Sequence, residues 1–425
     1  MTEMRYKVVT IAIKAGLLIE GTDRSPMSDV TVVIDKGRII DIIHGNRDIP
    51  CSQTIDYSNK VVMPGLIDSH AHLQLPAGPD HASTIEIFLA EQQTGMTQMR
   101  SVQSAQRALL GGITTLQDCG STIEIVKLRD AIAAGLPGPR LLVSGPPLTT
   151  TAGHGHFVSL RADSKAEIRK KTRWLIERGV DVIKIIASGG RATAGTNTLQ
   201  PQYSQEEIAE AVNEAHRLGR RVVAHALNAE TIRRCFAAGV DVIDHCMWHL
   251  PDGSMGFDPV VGEKMAHSDV TVGLTGSGYL RVLLDKTEDS LQELRSQLIG
   301  HRQMFDAGIR MTVHSDAGAR FTYWEDFRES LQVMVDGLQL KPHDAIRAAT
   351  QFAAESMGLG SDTGTVEVSK RADLLVLDKN PLEDIRNLRF IYHVIRDGRV
   401  LVDQGKLCPQ WSLSSNPVHD RPLDQ

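Results

Sequence analysis

The sequence predicts a (β/α)8 TIM-like barrel, an α/β fold, carrying a small β-sandwich module built from both chain ends. Three observations predict it. Short apolar strands alternate with helical stretches through residues 63–360. A helix, then Gly, then an apolar strand recurs at Ala238-Gly239-Val240 and Ala307-Gly308-Ile309, with Arg178-Gly179-Val180 similar; Gly is the usual residue just past a helix end. Residues 1–62 and 361–407 instead hold short β-rich runs with tight turns.

The elements follow in order. Residues 8–13, 30–34 and 39–43 read as strands, and Asp35-Lys36-Gly37 is a hairpin turn. The run 8–19 is interrupted by Lys14 and lacks a small-residue cleavage site, so it reads as strand rather than signal peptide. The apolar run 61–73 starts the barrel. Seven further strand candidates follow, at 112–118, 140–144, 180–185, 221–225, 240–245, 270–274 and 310–316. Helices lie between them, among others at 204–218, 229–238 and 289–307. Residues 372–378 and 390–395 return to β character, with a turn at Arg396-Asp397-Gly398-Arg399, and 408–425 reads as an extended tail. An open, doubly wound sheet satisfies the same periodicity, so both architectures stand at this point.

Bulk composition narrows the function classes. The chain has 425 residues, 41% hydrophobic and 23% charged, enough for a large core. The net charge of −6 and the lack of a basic block argue against a nucleic-acid partner. Cys51, Cys119, Cys235, Cys246 and Cys408 are scattered without a CxxC spacing. That pattern indicates neither a disulfide framework nor a zinc ribbon, and it fits a reducing compartment. No stretch of about 18 uncharged apolar residues occurs, so no membrane span is expected. The expectation is a cytoplasmic protein acting on a small molecule.

The chemistry starts at His70 and His72. Residues two apart on a strand project to one face, so two imidazoles at a strand end can grip one ion. A bare His-x-His is more often a pair of loop histidines; the apolar run before it and partners far downstream reverse that reading. Active-site residues of a barrel come from the C-terminal ends of strands. His225 ends the fifth, His245 the sixth and Asp316 the eighth. Four imidazoles and a carboxylate make a zinc-type ligand set. Lys184 interrupts an otherwise apolar fourth strand, and burying an unpaired ammonium is costly. Either its tip snorkels out or pairs with Asp181 or another acid, or carbon dioxide converts it to an anionic carbamate.

These residues sit in motifs that resemble the amidohydrolase superfamily of metal-dependent hydrolases. The motifs are Pro64-Gly65-Leu66-Ile67-Asp68-Ser69-His70-Ala71-His72, Gly111-Gly112-Ile113-Thr114-Thr115, Ile183-Lys184-Ile185 with Ser188-Gly189-Gly190, His225-Ala226, Asp244-His245 and Ser315-Asp316-Ala317-Gly318. Ala348-Ala349-Thr350, Gly364, Arg371-Ala372-Asp373-Leu374 and Asn380-Pro381-Leu382 extend the resemblance over nearly the whole chain. Each is weak alone; together they are highly specific.

The resemblance implies an enzyme with two divalent, zinc-type ions. His70, His72 and Asp316 would hold the more buried one, His225 and His245 the other, and N-carboxylated Lys184 would bridge them. Single-metal members such as adenosine and cytosine deaminases typically lack the bridging lysine, so Lys184 argues against a deaminase. The implied reaction is attack of a metal-bridging hydroxide on an amide carbonyl, with Asp316 passing the proton to the leaving amine. Thr151-Ala152-Gly153-His154-Gly155-His156 and Gln202-Tyr203-Ser204 resemble the Xaa-Pro dipeptidase and ochratoxin-hydrolysing branch. There His154 and Tyr203 would lie near the substrate carbonyl or carboxylate, while His156 reads as a loop histidine.

Two features depart from the pattern. Gln117 stands where an arginine is common, and 319–324 matches no substrate motif. The expected substrate is an N-acyl amino acid, a dipeptide or an aryl amide. Xenobiotic carbamates, ureas and esters come next, then cyclic amides, phosphotriesters and lactones. A non-catalytic assembly protein would have lost ligands, and all six stand here. Related enzymes are often dimers or octamers, so a homo-oligomer is expected.

Overall fold

The computed structural model describes residues 10–45, 49–276 and 287–408; of the expected tail, 409–425 lie outside them. The chain opens with β1 (Thr10–Leu18), β2 (Met27–Asp35), β3 (Arg38–His44) and β4 (Gln53–Pro64). β1 pairs antiparallel with β2 and parallel with β4, and β2 pairs antiparallel with β3. Lys36 and Gly37 between β2 and β3 have φ of +48° and +78°. Two positive φ values give a two-residue turn the twist its strands require.

Gly65 alone separates β4 from β5 (Leu66–Ala71). A Cβ at Gly65 would lie 2.2 Å from Thr114 Oγ1. The chain therefore passes from one sheet to the next where only glycine fits.

Helices α1 (His81–Thr94) and α2 (Met96–Leu110) lead to β6 (Ile113–Asp118), and α3 (Ile125–Ala133) leads to β7 (Arg140–Val143). The short β8 (Leu148–Thr149) and β9 (Leu160–Arg161) precede α4 (Lys165–Glu177) and β10 (Val182–Ile186). Then come α5 (Gln205–Arg217), β11 (Arg221–Asn228), α6 (Ala229–Ala237), β12 (Val242–His249), α7 (Pro259–Ala266), β13 (Thr271–Thr275), α8 (Glu288–Asp306) and β14 (Met311–His314). The Ser204 side chain accepts from Glu207 N and the Glu207 side chain accepts from Ser204 N, a capping box that starts α5. Gly179, Gly239 and Gly308 have φ of +86°, +81° and +81°, the left-handed helix ends anticipated from the repeated motif.

β5, β6 and β7 pair in parallel, as do β10 to β14. Two seams close the ring. Asp316 N donates to His70 O at 3.0 Å and His72 N to Ala317 O at 2.7 Å, joining the end of β14 to β5. Asp181 N donates to Val143 O at 2.9 Å, and Asp181 Oδ2 accepts from Val143 N at 2.9 Å, joining β7 to β10. The architecture is a barrel and not an open sheet.

After β14 come α9 (Phe327–Gln332), α10 (Pro342–Ala348) and α11 (Gln351–Ser356), then β15 (Leu374–Leu377), β16 (Ile391–Arg396), β17 (Arg399–Asp403) and β18 (Lys406–Leu407). The ends form one sheet in the order β18-β17-β16-β15-β4-β1-β2-β3, with β15 antiparallel to β4. One face encloses its own core, including Ile13, Val32, Ile34, Leu374 and Ile395, while Met63, Leu375, Leu377, Val394 and Val402 on the other join the barrel core. Arg140 on β7 pins the two together, reaching Asp373 at 2.5 Å and Asp397 at 2.9 Å.

Candidate metal centre

The six residues singled out as ligands converge at the C-terminal mouth of the barrel. All six line one cavity of about 360 Å³. Each is aimed by a local device.

His70 lies in β5 and His72 just beyond it. Pairing of β5 with β6 jumps from Asp68↔Leu116 to Ala71↔Asp118, a bulge that re-aims the strand end. Buried Asp68 holds that bulge. Its Oδ1 accepts from His70 N at 3.3 Å and from Ser315 N at 3.1 Å, and its Oδ2 accepts from the Ser315 hydroxyl. The same carboxylate thus sets the directions of His70 and Asp316. Burial pushes it up to about 7 despite these donors.

His70 Nε2 and His72 Nε2 lie 3.2 Å apart, and Asp316 Oδ1 lies 3.2 Å from His72 Nε2 and 3.7 Å from His70 Nε2. Ligand atoms about 2.0–2.1 Å from a tetrahedral zinc are roughly 3.3 Å apart. The three side chains therefore fit a common cation. His72 Nδ1 lies 3.2 Å from Gly120 O. Donating there leaves Nε2 with the lone pair a metal needs.

β11 and β12 run further than the sequence suggested, so His225 and His245 sit within strands rather than at their ends. The reason lies in the backbone. Pairing of β12 with β13 stops at Asp244↔Gly273. His245 and Cys246 then turn left-handed, with φ of +66° and +47°, which swings the His245 ring into the mouth. Asp316 is similarly left-handed at +55°. The rings of His225 and His245 are 4.6 Å apart at 70°. His245 Nδ1 is 2.7 Å from Thr275 Oγ1. Burial, with neighbouring His154 and Lys184, holds His225 well below the usual imidazole range; burial and His225 do the same to His245. Both are neutral at pH 7, the form that ligates.

Lys184 is buried in β10, and its ammonium pairs with Asp244 and not with Asp181. Asp181 is occupied by Arg129 at 2.9 Å and by Val143 N. Asp244 Oδ2 also lies 2.8 Å from His70 Nδ1. Burial opposes its ionisation, but Lys184 and His70 hold it well below the usual carboxylate range. Burial likewise opposes ionisation of Asp316, and the His72 and His70 imidazoles outweigh it. Sequence reasoning missed Asp244 and Asp68. Both are acids inside apolar strands, the signal that marked Lys184.

His154 reaches the site and Tyr203 does not. His154 lines the cavity with its ring 4.9 Å from that of His225. Its Nδ1 is buried without a hydrogen-bond partner among the described residues. Burial lowers it to about 4, so it is neutral at pH 7. The Tyr203 hydroxyl donates to Ala162 O at 3.0 Å, and the ring is buried away from the cavity. Its predecessor Gln202 is the residue turned toward the site. Gln202 Oε1 accepts from His154 N at 2.6 Å, while its Nε2 donates to Ile186 O at 2.8 Å. Expected near the substrate, Tyr203 instead packs with its hydroxyl on Ala162, outside the residues that line the cavity, because the turn before α5 sets its direction. His156 Nδ1 is held at 3.0 Å from Gly153 O and stays a loop residue.

The chain matches the profile of the amidohydrolase family over residues 61–401. Ochratoxinase of Aspergillus niger is 29% identical over 93% of this chain and 87% of its own length. The crystal structure of A. niger ochratoxinase superposes with a TM-score of 0.82 at 26% identity, covering 96% of this chain and 99% of that one. A Xaa-Pro dipeptidase crystallised with bound methionine in the active site gives 0.79 at 26% identity, covering 92% and 99%. A putative prolidase from Bifidobacterium longum gives 0.78 at 28% identity, covering 94% and 96%. A family match over most of the chain, on a barrel whose mouth gathers four histidines, a lysine and an aspartate, has one reading: this chain belongs to the amidohydrolase family and is a hydrolase.

Proposed function

We propose that the protein is a two-metal hydrolase of amide bonds, acting on an N-acyl amino acid or dipeptide. The observation that carries this reading is the convergence of His70, His72 and Asp316, whose ligand atoms lie within 3.7 Å of one another, beside the neutral pair His225 and His245. His70, His72 and Asp316 would hold one divalent ion, His225 and His245 a second, with Lys184 between them as a carbamate. Such ions supply Lewis acidity and a nucleophilic hydroxide near neutral pH.

The chain's own residues do the rest. Asp316 faces the space between the histidines as an ionised carboxylate, so it can accept the proton of the attacking water and return it to the leaving nitrogen. Neutral His154 beside His225 can donate one hydrogen bond to the substrate carbonyl oxygen as charge develops there. Phe157, Val158, Ile186 and Leu227 line the cavity and exclude water around that charge. One of the similar structures is that of a Xaa-Pro dipeptidase, a name for cleavage of a dipeptide's amide bond, which supports the choice of bond.

Lys184 in its cationic form pairs with Asp244. Carboxylation replaces that cation with an anion and therefore goes with metal uptake. Protein reconstituted with zinc and 13C-labelled bicarbonate is expected to show a carbamate carbon signal that Lys184→Ala lacks. Elemental analysis is expected to find about two metals per chain. The functional test is a hydrolysis screen of the zinc-loaded protein against N-acyl amino acids, Xaa-Pro dipeptides, aryl carbamates and phenylureas. Turnover confined to the last two classes would overturn the substrate reading.

A further inference from the structure

The cavity wall is chemically uneven. One part is apolar, with Phe157, Ile186, Leu227, Met247 and Leu294. Two guanidiniums line it as well, Arg191 after β10 and Arg320 after β14; among the described lining residues, the only carboxylate is Asp316. β10 and β14 are the fourth and eighth strands of the ring, so the two arginines reach the cavity from different strand ends.

They are mounted differently. Arg320 Nε donates to Pro79 O at 3.0 Å and its guanidinium lies 5.3 Å from the Phe321 ring, which ties it to the loop after β5. Arg191 follows Gly189 and Gly190, which are packed too closely for side chains. A Cβ at Gly189 would lie 2.1 Å from Asn197 O, and one at Gly190 would lie 2.3 Å from His154 Nε2. Thr196 Oγ1 donates to Gly190 O at 2.8 Å, and Gly155 N donates to Thr193 Oγ1 at 2.9 Å. The segment that carries Arg191 is thus fixed against the loop that carries His154. Both residues line the one cavity, where the His154 ring lies 4.9 Å from that of His225.

We propose that Arg191 determines specificity by binding the substrate carboxylate beside the scissile amide, with the apolar wall taking the adjoining side chain. This rests on the amide-hydrolase reading above. A guanidinium presents a planar fork that matches a carboxylate with two parallel hydrogen bonds. Inside a cavity that pairing is stronger than in water. The packing of its segment against the loop of His154 would place that carboxylate next to the bond to be cut.

The test compares N-benzoylphenylalanine with its carboxamide, which lacks only the charge. The wild-type zinc-loaded enzyme is expected to favour the carboxylate by roughly 10- to 100-fold in kcat/KM. Arg191→Met should bring that ratio near unity, mainly through KM for the carboxylate. Arg191→Lys should restore part of it, and Arg320→Met should leave the ratio in place. Calorimetry with N-benzylphenylalanine and its carboxamide, which have no benzoyl amide to cleave, reads the same selectivity without turnover. If neither benzoyl amide is hydrolysed yet Arg191→Met abolishes the calorimetric preference, the amide-hydrolase reading falls and the carboxylate site stands. A wild type without preference, or a preference that survives Arg191→Met, overturns the proposal. So does a preference lost only in Arg320→Met.

Discussion

At the scale of single residues, the site depends on groups whose protonation is set by burial and by near neighbours. Asp316 is the sharpest case. Asp316→Asn keeps the shape and one ligating oxygen but removes the proton acceptor. We expect kcat to fall by roughly 10²–10⁴-fold while metal content is retained, checked by steady-state kinetics with elemental analysis; near-normal turnover would remove the proton role. His301 on α8 tests burial in another way. Its Nε2 lies 3.0 Å from His245 O, and burial lowers it to about 4. The unfolded imidazole titrates near 6.5, so between those values the unfolded chain binds more protons. Stability therefore rises with pH across that window, is fully present above about 6.5 and falls on acidification. The loss is about 3 kcal/mol for this one residue. Denaturant titrations at pH 7 and pH 4.5 should show a smaller difference in His301→Gln than in the parent.

Much of this scale was legible in the sequence. His70, His72, Lys184, His225, His245, Asp316 and His154 could be named because strand ends and motifs mark them, and all line the cavity. Asp68 and Asp244 were legible in principle, as acids within apolar strands. Arg191 was not, since a loop side chain has no periodicity to betray its direction.

At the scale of elements, glycines and bulges decide where side chains point. Gly65 lets β4 pass into β5 against Thr114, and Gly65→Ala would drive a Cβ to 2.2 Å from Oγ1 and 2.3 Å from Cγ2 of that buried side chain. The expected cost is about 1–3 kcal/mol of stability, measured by urea unfolding, with partial recovery in Gly65→Ala/Thr114→Ala. Strand existence was readable from apolar runs and helix starts from Ser204 and Glu207. Strand ends were not. β12 continues to His249 through left-handed residues, because its course after Asp244 follows β11 rather than β13. The same limit explains Tyr203, whose face is set by the turn before α5 rather than by its motif.

At the scale of the whole molecule, the end sheet joins the barrel through an apolar face, with Met63, Leu375, Leu377, Val394 and Val402 in the barrel core, and through a charged seam. Asp373 is fully buried and accepts from Arg140, from Thr363 Oγ1 at 3.1 Å and from Asp397 N at 2.9 Å. Arg140→Met leaves that carboxylate without its cation. Breaking a buried pair from one side typically costs about 3–5 kcal/mol, so the denaturation midpoint should drop sharply, and Arg140→Met/Asp373→Asn should recover part of it. Survival of the single variant at parental stability would mean the seam contributes little. That the two chain ends share a sheet was legible from their β-rich composition. Which strands meet, β4 with β15, was not, since it follows from where the barrel brings them.

Periodicity and residue chemistry are local properties, so the alternation of strands and helices, the motif set and the ligand types are readable from the chain. Tertiary structure alone decided three things. It closed the ring through the seams at Asp316–His70 and Asp181–Val143. It made Asp244 the partner of Lys184. It brought Arg191 and His154 into one cavity. Each depends on side chains distant in the chain meeting at a barrel mouth, and no window of sequence contains that meeting.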